Sequence, residues 1–310
     1  MDRPERTGVA RVARIAKPGA LCTIVQAGAI VAVVVGCATA PPKNVRTSEG
    51  PQPGNLAVPA DVRAHLRNVE SLGRQLFMLD KVSAIASDLL MARVPAVRDG
   101  GLAGYLPIRE GDDQGRLKNS FLVTFFTPDE PPRIAYEVRV QPDVAPALQV
   151  FDPPKAATES FITLIRARQV ALAALPGGIR QPINPVLVPG KVNNENGVLV
   201  YLLAGTDKAN VAVFGQHFRV LVPEHGGPPT YVMPLSKSAL EMPVQRGLTD
   251  EKPAGLIVSH TLTAWPLETH VFVSLLFRIP VYVTTSRAVW RVDGDHIALI
   301  SNRPPQPMRQ

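Results

Sequence analysis

The chain has 310 residues, 45% hydrophobic and 19% charged, enough for one large domain or two ordinary ones. That balance excludes an intrinsically disordered chain; 23 glycines without a triplet period exclude a collagen-like fibre, and two cysteines exclude a disulfide-stapled scaffold. The formal charge of +7 raises the question of an acidic partner, which the placement of the charges has to answer.

The chain opens with Arg3, Arg6, Arg11, Arg14 and Lys17 against Asp2 and Glu5. An uncharged apolar stretch follows from Ala20 to Gly36. As a helix it would span roughly 25 Å, short of the ~30 Å hydrocarbon core of a bilayer. A basic start and a short apolar core ending in small residues make a secretory signal peptide. The stretch ends Val34-Val35-Gly36-Cys37-Ala38, which resembles the lipobox of bacterial lipoproteins. The resemblance covers residues 1–38 only. It implies cleavage before Cys37, a diacylglycerol on the Cys37 thiol and acylation of the new amino terminus. Ala38 in place of Asp implies delivery to the outer membrane, with the domain facing the periplasm. Several acyl chains anchor stably where one binds only marginally. The alternative is an uncleaved N-terminal anchor with Cys37 incidental. No twin-arginine pair precedes the apolar core, so unfolded export without a preloaded cofactor is expected. Cys22 leaves with the signal peptide, residues 1–36, and the mature chain then has neither a disulfide nor a thiolate metal site. The signal carries +3 of the +7, so the basic balance argues mainly for export.

Residues 37–59 hold Pro41, Pro42, Pro51, Pro53 and Pro59 and read as a tether. Val62, Leu66, Val69, Leu72, Leu76 and Leu79 recur at three- and four-residue steps, continuing through Val82, Ile85, Ala86 and Leu89 to Arg93. This spacing predicts an amphipathic helix capped by Asp61, bent near Asp80 and ended by Pro95. Val94 to Asn119 reads as loop with a possible short strand. Ser120–Thr127 and Arg133–Val140 predict a hairpin. A second helix is expected from Pro153 or Pro154 to Leu175, capped by Asp152, with Arg166 and Arg168 facing out. Strands are then expected at Pro185–Val188, Val198–Ala204, Val211–Val222, Tyr231–Leu235, Ala239–Met242, Gly255–Thr263, Pro280–Thr285, Ala288–Val292 and His296–Ile300. Pro266–Phe277 is open between helix and strand. The class is α+β, a largely antiparallel sheet with two principal amphipathic helices. A single domain over residues 60–300 is favoured, with 176–182 the place where it could divide, and residues 301–310 read as a disordered tail.

The six histidines, 65, 217, 225, 260, 270 and 296, form no HExxH and no helical i,i+4 pair. The densest grouping is His260, Glu268 and His270. If residues 266–277 are extended, Glu268 and His270 share a face and His260 on a neighbouring strand could complete a metal site. If they are helical the site fails, and a buried histidine bonded to its surroundings is the plainer reading. Ser236, Ser238, Ser259 and Ser274 lack a G-x-S-x-G elbow. Gly100, Gly101 and Gly104 lack a phosphate-loop lysine. Asp112-Asp113 sit in a polar loop. Arg63, Arg67, Arg74, Arg166 and Arg168 fit solvated helix faces, with no nucleic-acid module. The sequence therefore points to a lipid-anchored envelope protein without a cofactor. Its partners are the membrane and an unknown envelope protein or ligand, and a binding or scaffolding role is favoured. The alternative is an anchored periplasmic hydrolase, with or without the assistance of a metal, using His260, Glu268 and His270.

Overall fold

The computed structural model describes residues 56–303 apart from 113, 115, 180, 193–194, 225 and 245–252. The signal peptide, the lipobox with Cys37, the tether up to residue 55, Asp113, His225 and the tail from residue 304 lie outside the described residues.

The chain begins its fold with one long helix, α1 (Ala60–Arg93, 34 residues), about 50 Å from end to end. Of the periodic residues, Leu66, Val69, Leu76, Leu79, Val82 and Ala86 are buried, Val62, Leu72, Ile85 and Leu89 are half-buried, and Leu90 joins the buried face. Asp61 does not cap it. Pro59 holds the cap position, no side chain accepts there, and Asp61 lies in the first turn, where its charge meets the positive end of the helix dipole. Asp80 causes no break, and a short 3-10 turn, Pro95–Asp99, ends the run.

Four strands follow as an antiparallel meander: β1 (Gly104–Gly111), β2 (Leu117–Phe126), β3 (Arg133–Gln141) and β4 (Val144–Ala156), in that spatial order. The expected hairpin is β2–β3. The expected helix start at Pro153 is instead the end of β4. As an edge strand, β4 has a side on which no N–H is required, so two prolines are tolerated. The ladder skips them between Tyr136↔Val150 and Ile134↔Lys155, and the Arg133 Nε–H donates to the Pro154 carbonyl at 2.8 Å. Helix α2 (Glu159–Ala173) starts later, capped by Thr158, whose hydroxyl accepts from the Phe161 N–H at 3.3 Å.

The second antiparallel sheet has the order β5 (Ile183–Val192), β6 (Glu195–Ala204), β8 (Phe218–Pro223), β9 (Tyr231–Pro234). The run expected as one strand over Val211–Val222 is two. β7 (Val211–Phe214) leaves this sheet to pair with β10 (Leu240–Pro243). The break is Gly215, at φ +118, followed by Gln216 at φ +53. A Cβ on Gly215 would lie 2.0 Å from the Ser238 carbonyl oxygen, so only glycine fits this turn. A third sheet runs β11 (Leu256–Ser259), β12 (Val281–Thr284), β13 (Val289–Asp293), β14 (His296–Ser301), with β11 and β12 parallel. The crossover between them carries α3 (Glu268–Phe277). Every residue from Glu268 to Ser274 is buried, which is why its sequence shows no helical stripe. α3 lies against α1 at Gly73, where a Cβ would come 2.4 Å from the Val271 Cβ.

The result is α+β. One core runs from Leu66 on α1 through Val123, Tyr201 and Val271 to Leu299 on β14. The β6–β8 pair also buries its other side, Val200, Leu202, Val220 and Val222, against Ala167 and Ala171 of α2. Among the described residues no helix is long and apolar enough to cross a membrane.

Candidate functional site

The first turn of α3 places two of the three grouped side chains. Leu267 stands at the cap and has no capping oxygen. The His270 imidazole folds back on the cap residue instead: the Leu267 N–H donates to His270 Nδ1 at 2.9 Å, while the His270 N–H donates to the Leu267 carbonyl at 3.0 Å. This is the fold-back of a capping box with an imidazole in the role of Glu or Gln. With Nδ1 accepting, the neutral ring carries its proton on Nε2.

Glu268 leaves the helix in another direction, because two residues of helix turn by about 200°. Its carboxylate, 1% exposed, accepts from the Tyr201 hydroxyl at 2.8 Å and from Arg219 Nη1 at 2.9 Å. Burial pushes the Tyr201 hydroxyl well above its ordinary value, and the Glu268 charge adds to that. Burial alone would pull the Arg219 guanidinium down, but Glu268 and then Tyr201 hold it above its ordinary value. The cluster is a closed ion pair within the core.

His260 follows β11, its N–H donating to the Thr284 carbonyl at 2.8 Å. Its Nε2 lies 2.8 Å from the Thr263 hydroxyl, and that hydroxyl donates its one proton to the Trp265 carbonyl at 2.5 Å. His260 Nε2 is therefore the donor, and Nδ1 keeps a lone pair. The His260 and His270 rings meet edge to face, with centroids 5.1 Å apart. The third histidine is His217, just past the Gly215 turn. Its Nδ1 accepts from the Ala204 N–H at 2.9 Å, and Nε2 faces the Val213 carbonyl at 3.1 Å. Burial lowers all three rings: His217 to about 4, His270 to about 3 with His260 and His217 adding to the effect, and His260 below its ordinary value, opposed by Glu268. They are neutral imidazoles at pH 7.

These rings line one cavity of about 250 Å³, bounded by the Gly215 turn, the Ser236–Ser238 segment, the end of β11 and the start of α3. Thr269 lines it as well. It is 5% exposed, and its hydroxyl bonds no protein group among the described residues.

The structure thus brings His260 and His270 together and separates Glu268 from them. Among the described residues no group of three His, Cys, Asp or Glu is arranged to hold a metal. Of the serines, Ser236, Ser238 and Ser259 border the cavity, while Ser274 is buried under the Ile279 and Val292 carbonyls. Gly100 and Gly101 have open space where a Cβ would stand. Asp112 closes its loop on the Arg116 guanidinium at 2.7 Å. Arg67, Arg74 and Arg166 are exposed, as expected of solvated helix faces, while Arg63 and Arg168 are half-buried and depart from it. Arg63 donates to the Ile297 carbonyl at 3.0 Å, and Arg74 pairs with Asp295 at 3.1 Å. Arg168 lies over the Phe126 ring, 5.8 Å from its centroid, because α2 is enclosed on two sides. His217 escaped sequence reasoning; the signal available was a glycine interrupting an apolar strand two residues before a histidine.

No protein-family model, no curated protein and no solved structure matches this chain.

Proposed function

We propose that this is a lipid-anchored cell-envelope protein whose globular domain faces the periplasm and binds a component of the envelope through the histidine-lined cavity. The chemistry of that cavity supports binding over catalysis. Each of its imidazoles has a nitrogen committed to the fold: His217 to Ala204, His260 to Thr263, His270 to Leu267. No Ser–His hydrogen bond links a nucleophile to a base among the described residues, which nucleophilic catalysis requires. The rival, an anchored hydrolase using His260, Glu268 and His270, would have to act with Glu268 held by Arg219 and Tyr201. The anchor rests on the lipobox-like run ending at Cys37.

Cells expressing the full chain and grown in radiolabelled palmitate test the reading. Label on the protein that disappears in Cys37→Ala is expected, together with recovery in the outer-membrane fraction and a native partner or ligand carried through purification. No label, label that survives Cys37→Ala, or protein confined to the cytoplasm overturns it.

A further inference from the structure

We infer that the cavity binds a small carboxylate, held between the start of α3 and Lys237. The inference rests on the binding reading above and adds the chemical class of the ligand. Four observations lead to it. The side chains lining the cavity include no Asp or Glu among the described residues, and Glu268, one residue before Thr269, has its charge paired with Arg219. The start of α3 faces it at Thr269 and His270, with no side-chain oxygen at the Leu267 cap and with the His270 N–H bonded to the Leu267 carbonyl. A helix N-terminus carries roughly half a positive charge and favours anions. Lys237 borders the cavity from its exposed side and makes no ion pair among the described residues. The Thr269 hydroxyl, nearly nineteen-twentieths withdrawn from solvent, lines the same space and bonds no protein group. A hydroxyl held in the cavity wall without a protein partner is free to bond a ligand oxygen there.

Charge count and size narrow the class. One lysine and one helix end give about one and a half positive charges, which matches a carboxylate and falls short of a phosphate dianion. His270 Nε2–H is a donor and His260 Nδ1 an acceptor, and that pair suits a hydroxyl carried on the same ligand. A cavity of about 250 Å³ lies just below the usual range for small-molecule sites, so the ligand is of the size of a short-chain or sugar acid.

Calorimetric titration of the full-length protein in detergent tests this, with acetate, glucuronate, inorganic phosphate and glucose as probes. Glucuronate is expected to bind more tightly than acetate, phosphate more weakly than glucuronate, and glucose not measurably. Lys237→Gln and Thr269→Val are each expected to weaken glucuronate roughly tenfold, the loss of one charge-assisted or buried hydrogen bond. Lys237 is exposed, so its variant reads binding even if Thr269→Val folds poorly. Glucose binding as tightly as glucuronate would overturn the carboxylate assignment and leave the binding reading standing. Phosphate binding more tightly than glucuronate, or affinity unchanged in Lys237→Gln, also overturns it. The absence of binding by any of the four overturns it outright, while the anchor and envelope reading still stands or falls on palmitate and fractionation.

Discussion

Glu268 and Asp80 are both carboxylates withdrawn from water, and each lies beside a tyrosine. Their surroundings differ in what meets the charge. Glu268 has the Arg219 guanidinium at 2.9 Å as well as the Tyr201 hydroxyl. Asp80 has an amide: Asn184 Nδ2–H donates to its carboxylate, and the Tyr105 hydroxyl donates in turn to Asn184 Oδ1 at 2.6 Å. Burial pushes the Asp80 carboxyl up to about 6, against the opposing pull of the Asn184 hydrogen bond. A hydrogen bond from a neutral amide does not offset the loss of water around a charge, and an adjacent cation can. The core around α3 is thus built on a compensated charge, and the seam between α1, β1 and β5 on an uncompensated one.

The largest expected effect comes from breaking the compensated pair. Arg219→Met leaves Glu268 charged, buried and bonded only to Tyr201, and should cost about 3–5 kcal/mol in urea unfolding. Adding Glu268→Leu should recover most of that loss, since a buried pair replaced by apolar groups is often neutral. If the single variant unfolds at the wild-type midpoint, the pair contributes nothing and the contrast with Asp80 fails.

The histidines extend the contrast to groups that stay neutral. His217 and His270 are held below the ordinary histidine value, at about 4 and about 3. Their contribution to stability is full above the unfolded value near 6.5 and is lost as pH falls toward the folded values. At pH 5 each should cost roughly 2 kcal/mol relative to pH 7. His270→Gln keeps an acceptor for the Leu267 N–H, as a capping-box glutamine does, and removes one titration. Its urea midpoint should therefore fall less than the wild type's between pH 7 and pH 5. An equal fall in both proteins would show that His270 takes up no proton on unfolding.

Legibility in the sequence followed how far each element's environment is written in its own residues. α1 was readable because one face is buried and the other is not, so its apolar residues keep the 3–4 spacing. The β2–β3 hairpin was readable because Phe, Leu and Val on one strand and Ile, Tyr and Val on the other flank a proline-rich turn. α3 stayed ambiguous because burial on all sides erases the stripe that distinguishes helix from strand. β4 was misread because Asp-Pro-Pro looks like a helix start, and only the neighbouring strand makes it an edge. The candidate site was half legible. His260 and His270 stood out by proximity, but whether Glu268 joined them depended on the helix–strand choice. The cavity joins segments around residues 214–217, 235–240 and 258–270, and no spacing rule connects them.

The smallest expected effect sharpens the other side of the comparison. Asp80 is held above its unfolded value, so its contribution is fully present below about pH 4 and is lost as pH rises through about 6. Asp80→Asn can still accept from Asn184 through its amide oxygen, and it removes the desolvated charge. After allowance for solvent screening it should raise stability by about 1–2 kcal/mol at pH 7 and leave it unchanged near pH 3.5, as read from urea midpoints across that range. Arg168 is the control. Its guanidinium is desolvated, which lowers its pKa against the opposing influence of Tyr105, and its Nε is buried without a partner; it forms no salt bridge with Asp80 among the described residues. Arg168→Met should therefore change stability by less than about 1 kcal/mol, because the lost cation–π contact and the relieved desolvation oppose each other. It should leave the pH dependence attributed to Asp80 in place. If Arg168→Met instead deepens the loss between pH 4 and pH 7, Arg168 is the cation that Asp80 relies on, and the two carboxylates differ in distance to their partner rather than in having one.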